Sequence, residues 1–286
     1  MLCEIKGDNV AILWDSTTEP YDLPKGEWKV GENKATAEKY LTHEGSGESW
    51  LGAPNINELT RRLREGWPEG SDRLLKLATR EIQPQSIRRR RERADQGAEL
   101  DIHSVYRGDL SRAWTRTRRR SGNGVRNVAI ISNLTDSANV SASDLFWRGA
   151  ASLKLAEALM EAGYNVAIYG AESGQKACSA GRTRVCQFVE IKADDQPLDL
   201  DRLAALTAMP GYFRTALFAG IAKGCDMLDR TPSWGLGVPD PQFIEQAAKM
   251  LPAIPGNAII QPPVNSKKAA EDWIDKVLDG LEHPTE

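Results

Sequence analysis

The sequence predicts an α/β fold: a three-layer sandwich on a mostly parallel sheet with one antiparallel edge strand, beside a smaller N-terminal α+β region. Three observations predict it. Residues 126–169 read as a complete strand–helix–strand unit, residues 171–183 lack the helix that a parallel crossover needs, and from residue 199 helical patterns alternate with another apolar strand. The 286 residues, 41% hydrophobic and 27% charged, suffice for one large domain or two small ones and exclude collagen-like, low-complexity and wholly disordered chains.

Taken in order, Val10–Trp14 is a short apolar strand and Glu27–Val30 a candidate second one. Asn55 is placed to cap a helix carrying Ile56, Leu59 and Leu63 at helical spacing. The turn Gly66-Trp67-Pro68-Glu69-Gly70 stops it, and a second apolar period follows at Leu74, Leu75, Leu77 and Ile82. Two such short helices cannot bury their apolar faces alone, so this hairpin is expected to lie on the C-terminal domain. The predicted division is an N-terminal region to residue 87, a connector over 88–124 and an α/β domain over 125–286.

Val128–Ile131 is a continuous apolar run of the kind buried on both faces of a parallel sheet. After the polar loop 132–143, Ser143 is the expected cap of a helix with Leu145, Phe146, Gly149, Leu153, Ala156 and Met160 inward, and Gly163 ends it before the strand Asn165–Tyr169. Residues 171–183 are small, polar and glycine-bearing. A hairpin is therefore predicted, with Arg184–Ile191 reversed at the sheet edge. Asp199 and the Asp240–Pro241 pair mark two helix starts, Tyr212–Ala222 reads as a helix, Asn257–Gln261 as a strand, and Ser266 opens a last amphipathic helix.

The net charge of −3 is unevenly spread. Residues 88–120 hold 11 basic and 5 acidic side chains, and every cation among them is arginine, whereas both flanking regions are acidic. Arg88, Arg89, Arg90, Arg91, Arg112, Arg116, Arg119 and Arg120 are the candidate nucleic-acid contacts, with Tyr106 and Trp114 available to stack on bases. The competing reading is a solvated connector, or a belt docked on acidic surface of this chain or a partner. No segment is long and apolar enough to cross a membrane, and Met1–Asn9 has no apolar run or cleavage signature, so a cytoplasmic protein is expected. The cysteines and histidines lack zinc spacing, and Cys178 and Cys186, flanking the proposed hairpin turn, are expected to be free thiols. Walker and GxSxG motifs are absent, and Asp101-Ile102-His103-Ser104 lies too close together in the chain to form a triad.

The element order over residues 125–282 resembles the von Willebrand factor A fold. The resemblance implies an Asp-x-Ser-x-Ser loop after the first strand that binds a divalent cation such as magnesium, with help from a threonine and an aspartate on later loops. The matching residues are Asn133-Leu134-Thr135-Asp136-Ser137, so Asn133 replaces the aspartate while Thr135 and Ser137 keep their hydroxyls. Thr215 is the candidate on a later loop, and the last strand ends in Gln261 and Pro262 rather than an acid. Losing that carboxylate weakens a magnesium site, so no cofactor is expected and Asn133, Thr135, Ser137 and Thr215 form at most a degenerate site. Residues 49–169, through SWLG, REGWPEG, GAELD and SDLFWRGAASLKLAEALMEAGYNVAIYG, also resemble a poorly characterised family of bacteria and their phages. That family brings no known reaction. Domains of this kind work beside AAA+ ring ATPases, so the resemblance implies a protein partner, with a ring ATPase as one candidate; nucleic acid is the alternative partner.

Overall fold

The computed structural model describes residues 1–42, 47–74, 89–94, 99–100, 102–108, 113–119, 127–136, 140–175, 177–178, 183–233 and 240–282. Strands β1 (Leu2–Lys6) and β2 (Asn9–Trp14) form a hairpin, followed by α1 (Glu19–Asp22), α2 (Gly31–Thr42) and α3 (Glu48–Leu51). Next come α4 (Ile56–Glu65), α5 (Pro68–Leu74), β3 (Arg89–Ala94), β4 (Glu99–Leu100), α6 (Ile102–Tyr106) and β5 (Trp114–Arg119). The remainder is β6 (Asn127–Asn133), α7 (Ala142–Glu161), β7 (Asn165–Gln175), β8 (Arg184–Lys192) and α8 (Leu200–Thr207), then α9 (Phe218–Met227) behind a π-helical turn at Phe213–Leu217, and finally α10 (Pro241–Ala248), β9 (Ile259–Ile260) and α11 (Lys267–Glu282).

Side-chain caps fix the starts of five helices. Asn55 accepts from the Glu58 amide at 2.9 Å, Asp199 from Arg202 at 3.2 Å, Asp240 from Phe243 at 3.0 Å and Ser266 from Ala269 at 3.2 Å, each satisfying a donor that the first turn leaves open. At α7 the cap is Ser141, whose Oγ accepts from the Asp144 amide at 3.2 Å, rather than the expected Ser143. Ser143 instead bonds Ser141 Oγ at 2.8 Å.

The main sheet runs β1-β2-β8-β7-β6-β9, with β2/β8, β7/β6 and β6/β9 parallel and the other two pairings antiparallel. The predicted β7–β8 hairpin is present, in the register Gly170↔Val189 and Glu172↔Gln187. The reversed strand is not an edge, however. β2 adds parallel to β8, Ile12 opposite Gln187, and β1 closes the sheet. An open row of backbone donors and acceptors on β8 is thereby paired from within the chain.

Side chains alternate between two buried faces. Val128, Ile130, Val166 and Ile168 face Phe146, Leu153 and Leu159 of α7, Leu203 of α8 and Ile274 and Leu278 of α11. Ala129, Ile131, Tyr169, Cys186 and Phe188 face Phe243, Ile244 and Ala247 of α10. Two glycines permit the tight contacts on the first face. A Cβ on Gly149 would lie 2.3 Å from the backbone nitrogen of Ala208, and one on Gly220 would lie 2.0 Å from Gln187 Oε1.

The N-terminal residues share this core. Leu51, Leu59, Trp67 and Leu74 pack with α7 and α8 in one apolar cluster, while Val10, Ile12 and Trp14 pack with the α9 layer; Pro68–Gly70, expected as a turn, begin α5, and Leu75, Leu77 and Ile82 of the expected second helix lie outside the described residues. Residue 87 therefore does not divide two cores. Glu27–Val30 is not a strand: the Lys29 and Val30 amides donate to Asp226 at 3.0 and 2.9 Å, and the chain turns into α2. Cys178 is disulfide-bonded to Cys225, with Cα atoms 5.8 Å apart, whereas Cys186 is a buried free thiol. No helix among the described residues is long and apolar enough to cross a membrane.

Candidate docking site at the carboxyl end of the sheet

Where β6 ends, the chain is stitched sideways onto β7. Asn133 Oδ1 accepts from the Thr135 amide at 3.1 Å, Leu134 N donates to Ala171 O at 2.8 Å, and Thr135 Oγ1 accepts from the Ser173 amide at 2.7 Å. Asn133 and Thr135 are fully buried. Both oxygens that resemble cation ligands are thus already held by backbone donors.

The next residue, Asp136, is ion-paired with Arg148 of α7. Arg148 is only 1% exposed, yet it also donates to the Thr135 carbonyl and, at 2.6 Å, to Asn265 Oδ1 on the loop before α11. Its own carbonyl accepts from Gln261 Nε2 at 2.6 Å. One side chain therefore ties together the loops that follow β6 and β9. Burial pushes the Arg148 pKa below its ordinary value, and Asp136 pulls it back.

A second guanidinium stands close by. Arg214, in the π-helical turn, donates to the carbonyls of Trp50 and Val140 at 2.8 and 2.9 Å and sits 4.2 Å above the Trp50 ring. Burial lowers its pKa to about 10, opposed by the charge of Asp136. Thr215 points elsewhere: its hydroxyl donates to Gly211 O at 2.6 Å and lies 3.3 Å from the Tyr21 hydroxyl.

These residues do not fit a magnesium ion. The carboxylate at the position next to Asn133 and Thr135 is neutralised by Arg148, and Arg214 adds a further positive charge. Among the described residues no group of three or more histidine, cysteine, aspartate or glutamate side chains is arranged to hold a metal. Ser137 lies outside the described residues.

Beneath this cluster, Glu172 is fully buried on β7, and its Oε2 accepts from Gln187 Nε2 at 2.7 Å. Gln187 Oε1 in turn accepts from the Trp14 indole at 2.8 Å. Burial raises the Glu172 pKa well above the usual carboxylate range, with Gln187 opposing, and the hydrogen bonds through Gln187 link β2, β8 and β7. Beside the cluster, at the start of α7, lies a cleft of about 630 Å³ bounded by Ser49, Trp67, Arg73, Ser143 and Met209. Arg73 lies 4.0 Å over the Phe146 ring, and Ser143 is exposed on the rim.

The matched family model runs from residue 8 to residue 283, from β2 through α11, and so embraces sheet, cluster and cleft. The chain belongs to DUF7192, a domain family of unknown function. No curated protein and no solved structure matches it. In this DUF7192 chain the segment near Arg214 and Thr215 is one that the sequence marks for partner binding with the loop 133–144, whereas no motif points to Arg148, Glu172 or Gln187. The available signal for Arg148 was a lone arginine between Phe146 and Gly149 on the apolar face of α7.

The other predicted set occupies a second sheet, order β3-β5-β4. Arg89, Arg90 and Arg91 lie on β3 and Arg116 and Arg119 on β5, whereas Arg88, Arg112 and Arg120 fall outside the described residues. Tyr106, in α6, is 86% exposed.

Proposed function

We propose that this chain is a von Willebrand A-like docking module that binds a protein partner without a metal ion and without catalysing a reaction. The order β8-β7-β6-β9, with β8 reversed, supports the family likeness, and β1 and β2 are an addition to it. The observation that carries the reading is the Arg148–Asp136 ion pair, which sits beside the loop where a cation-dependent relative would present its metal. The charge balance that a bound cation would supply is supplied instead by a protein guanidinium. Thr135 and Asp136 are then held by the protein itself rather than by a metal. The partner is expected at the cleft beside Ser143, and an AAA+ ring ATPase in a bacterial or phage-infected cytoplasm is the candidate that the resemblance implies.

The test is capture from the native host by the full chain, in parallel with Ser143→Arg and Ser49→Arg, which fill the cleft from its rim. A partner held by the wild type and lost by both variants, with unchanged melting temperatures, is the expected result. A partner that both variants retain contradicts the proposed face.

A further inference from the structure

Strand β1 forms one rim of the main sheet, and among the described residues it pairs with β2 alone. It runs in unbroken register with β2, from Leu2 opposite Leu13 to Lys6 opposite Asn9, with no bulge and no proline to blunt the edge. The far side of β2 fixes which backbone groups that edge leaves open. The Arg184 amide donates to Asp8 O at 3.0 Å, so Asp8, Val10 and Ile12 turn their backbone groups toward β8, and Asn9, Ala11 and Leu13 turn theirs toward β1. Leu2, Glu4 and Lys6 are thereby bonded to β2, and the N–H and C=O groups of Cys3 and Ile5 point outward. The rim is also apolar. Met1, Leu2 and Ile5 are 42, 39 and 45% exposed, and among the described residues only α6 carries other large apolar side chains as open. Glu4 and Lys6 lie on the opposite face of the strand from Ile5, and among the described residues neither is ion-paired.

We infer that β1 is a homodimerisation edge: two copies pair their β1 strands antiparallel about a two-fold axis at Ile5, joining their main sheets into one. A strand added to an open edge gains main-chain hydrogen bonds, and side-chain pairs choose its register. An outward-pointing residue must meet an outward-pointing one, so the axis passes through a residue of the strand and not between two. An axis at Glu4 or Lys6 sets like charges face to face at the closest cross-strand spacing. An axis at Leu2 or Cys3 leaves Lys6 outside the paired strand. With the axis at Ile5, the two Ile5 residues exchange both backbone bonds, and Glu4 of each copy lies opposite Lys6 of the other. Two ion pairs then flank an apolar contact, on opposite faces of the joined sheet. Charges that keep an edge from sticking to unrelated strands thus match in one register of this strand with itself. Such a contact is isologous and closes at two copies. Only residues 3–7 overlap, so the interface is small and the dimer concentration-dependent. The inference rests on the sheet edge rather than on the docking cleft and stands or falls separately from it.

The experiment is sedimentation equilibrium of the full chain from about 1 to about 200 µM. The wild type is expected to shift from monomer to dimer over that range, with no larger species. Glu4→Lys and Lys6→Glu each turn both cross-strand ion pairs into like-charge pairs and should weaken dimerisation about tenfold or more. An equal mixture of these two variants restores opposite charges at every rung, and so does the double variant Glu4→Lys, Lys6→Glu. Both should dimerise as the wild type does. Lys276→Glu, an exposed position on α11, reverses a charge away from the edge and should leave dimerisation unchanged. A chain that stays monomeric throughout would leave the edge to a strand of another protein and overturn the inference. So would single variants that dimerise as the wild type does, or a mixture that associates no more tightly than its components.

Discussion

Arg148 and Arg214 stand alone among apolar neighbours, and each is met by carbonyl or carboxylate oxygens of its own chain. The arginines of β3 and β5 come in rows, and the backbone register sets two pairs of them face to face. The first arrangement is closed: its charge is answered inside the fold, so its removal is expected to be felt in stability. In the second sheet Glu92 lies opposite Arg116 and Glu99 opposite Thr115, so acidic positions are interleaved with the basic ones. What distinguishes the two regions is where their arginines stand in the fold, singly in one and in consecutive register in the other.

The comparison breaks most readily at Arg148. Arg148→Met removes the partner of buried Asp136 and should cost about 3–5 kcal/mol in urea unfolding, with much of the loss recovered in the double variant Arg148→Met, Asp136→Leu. A cost below about 1 kcal/mol would place the pair among ordinary surface bridges. Arg214→Met should cost less, about 1–3 kcal/mol, because its hydrogen bonds to Trp50 and Val140 go to neutral carbonyls.

Glu172 sharpens the contrast through pH. Its carboxyl is held above its unfolded value of 4.5, so the folded state binds the extra proton. Stability is then full below that value and falls as pH rises, by at most about 1.4 kcal/mol per pH unit. Glu172→Gln should flatten that decline between pH 5 and 8 and raise the melting temperature at pH 8. A parallel decline in both proteins would show that Glu172 ionises freely.

Features that depend on neighbours in sequence were legible. Asn55, Asp199 and Asp240 cap the helices they were expected to cap, and the missing crossover helix over 171–183 correctly indicated a hairpin. Features that depend on distant partners were not. Nothing in VAILW says that β2 will lie beside β8, because strand pairing between residues 12 and 187 leaves no local trace. Helix α2 was missed because its inward stripe is only Ala37, Tyr40 and Leu41. The approach of Cys178 to Cys225, and the convergence of Asp136, Arg148 and Asn265, likewise appear only once the chain is folded. Motif spacing pointed to the loop at Asn133 and Thr135, but not to the guanidinium that pairs with Asp136.

The central claim is that Arg148, not a cation, balances the charge at the carboxyl end of the sheet. Calorimetric titration of the full chain with magnesium and with manganese at pH 7 tests it most directly. No saturable heat and no rise in melting temperature are expected at millimolar metal; saturable binding that Thr135→Ala abolishes would instead show a cation held at this loop.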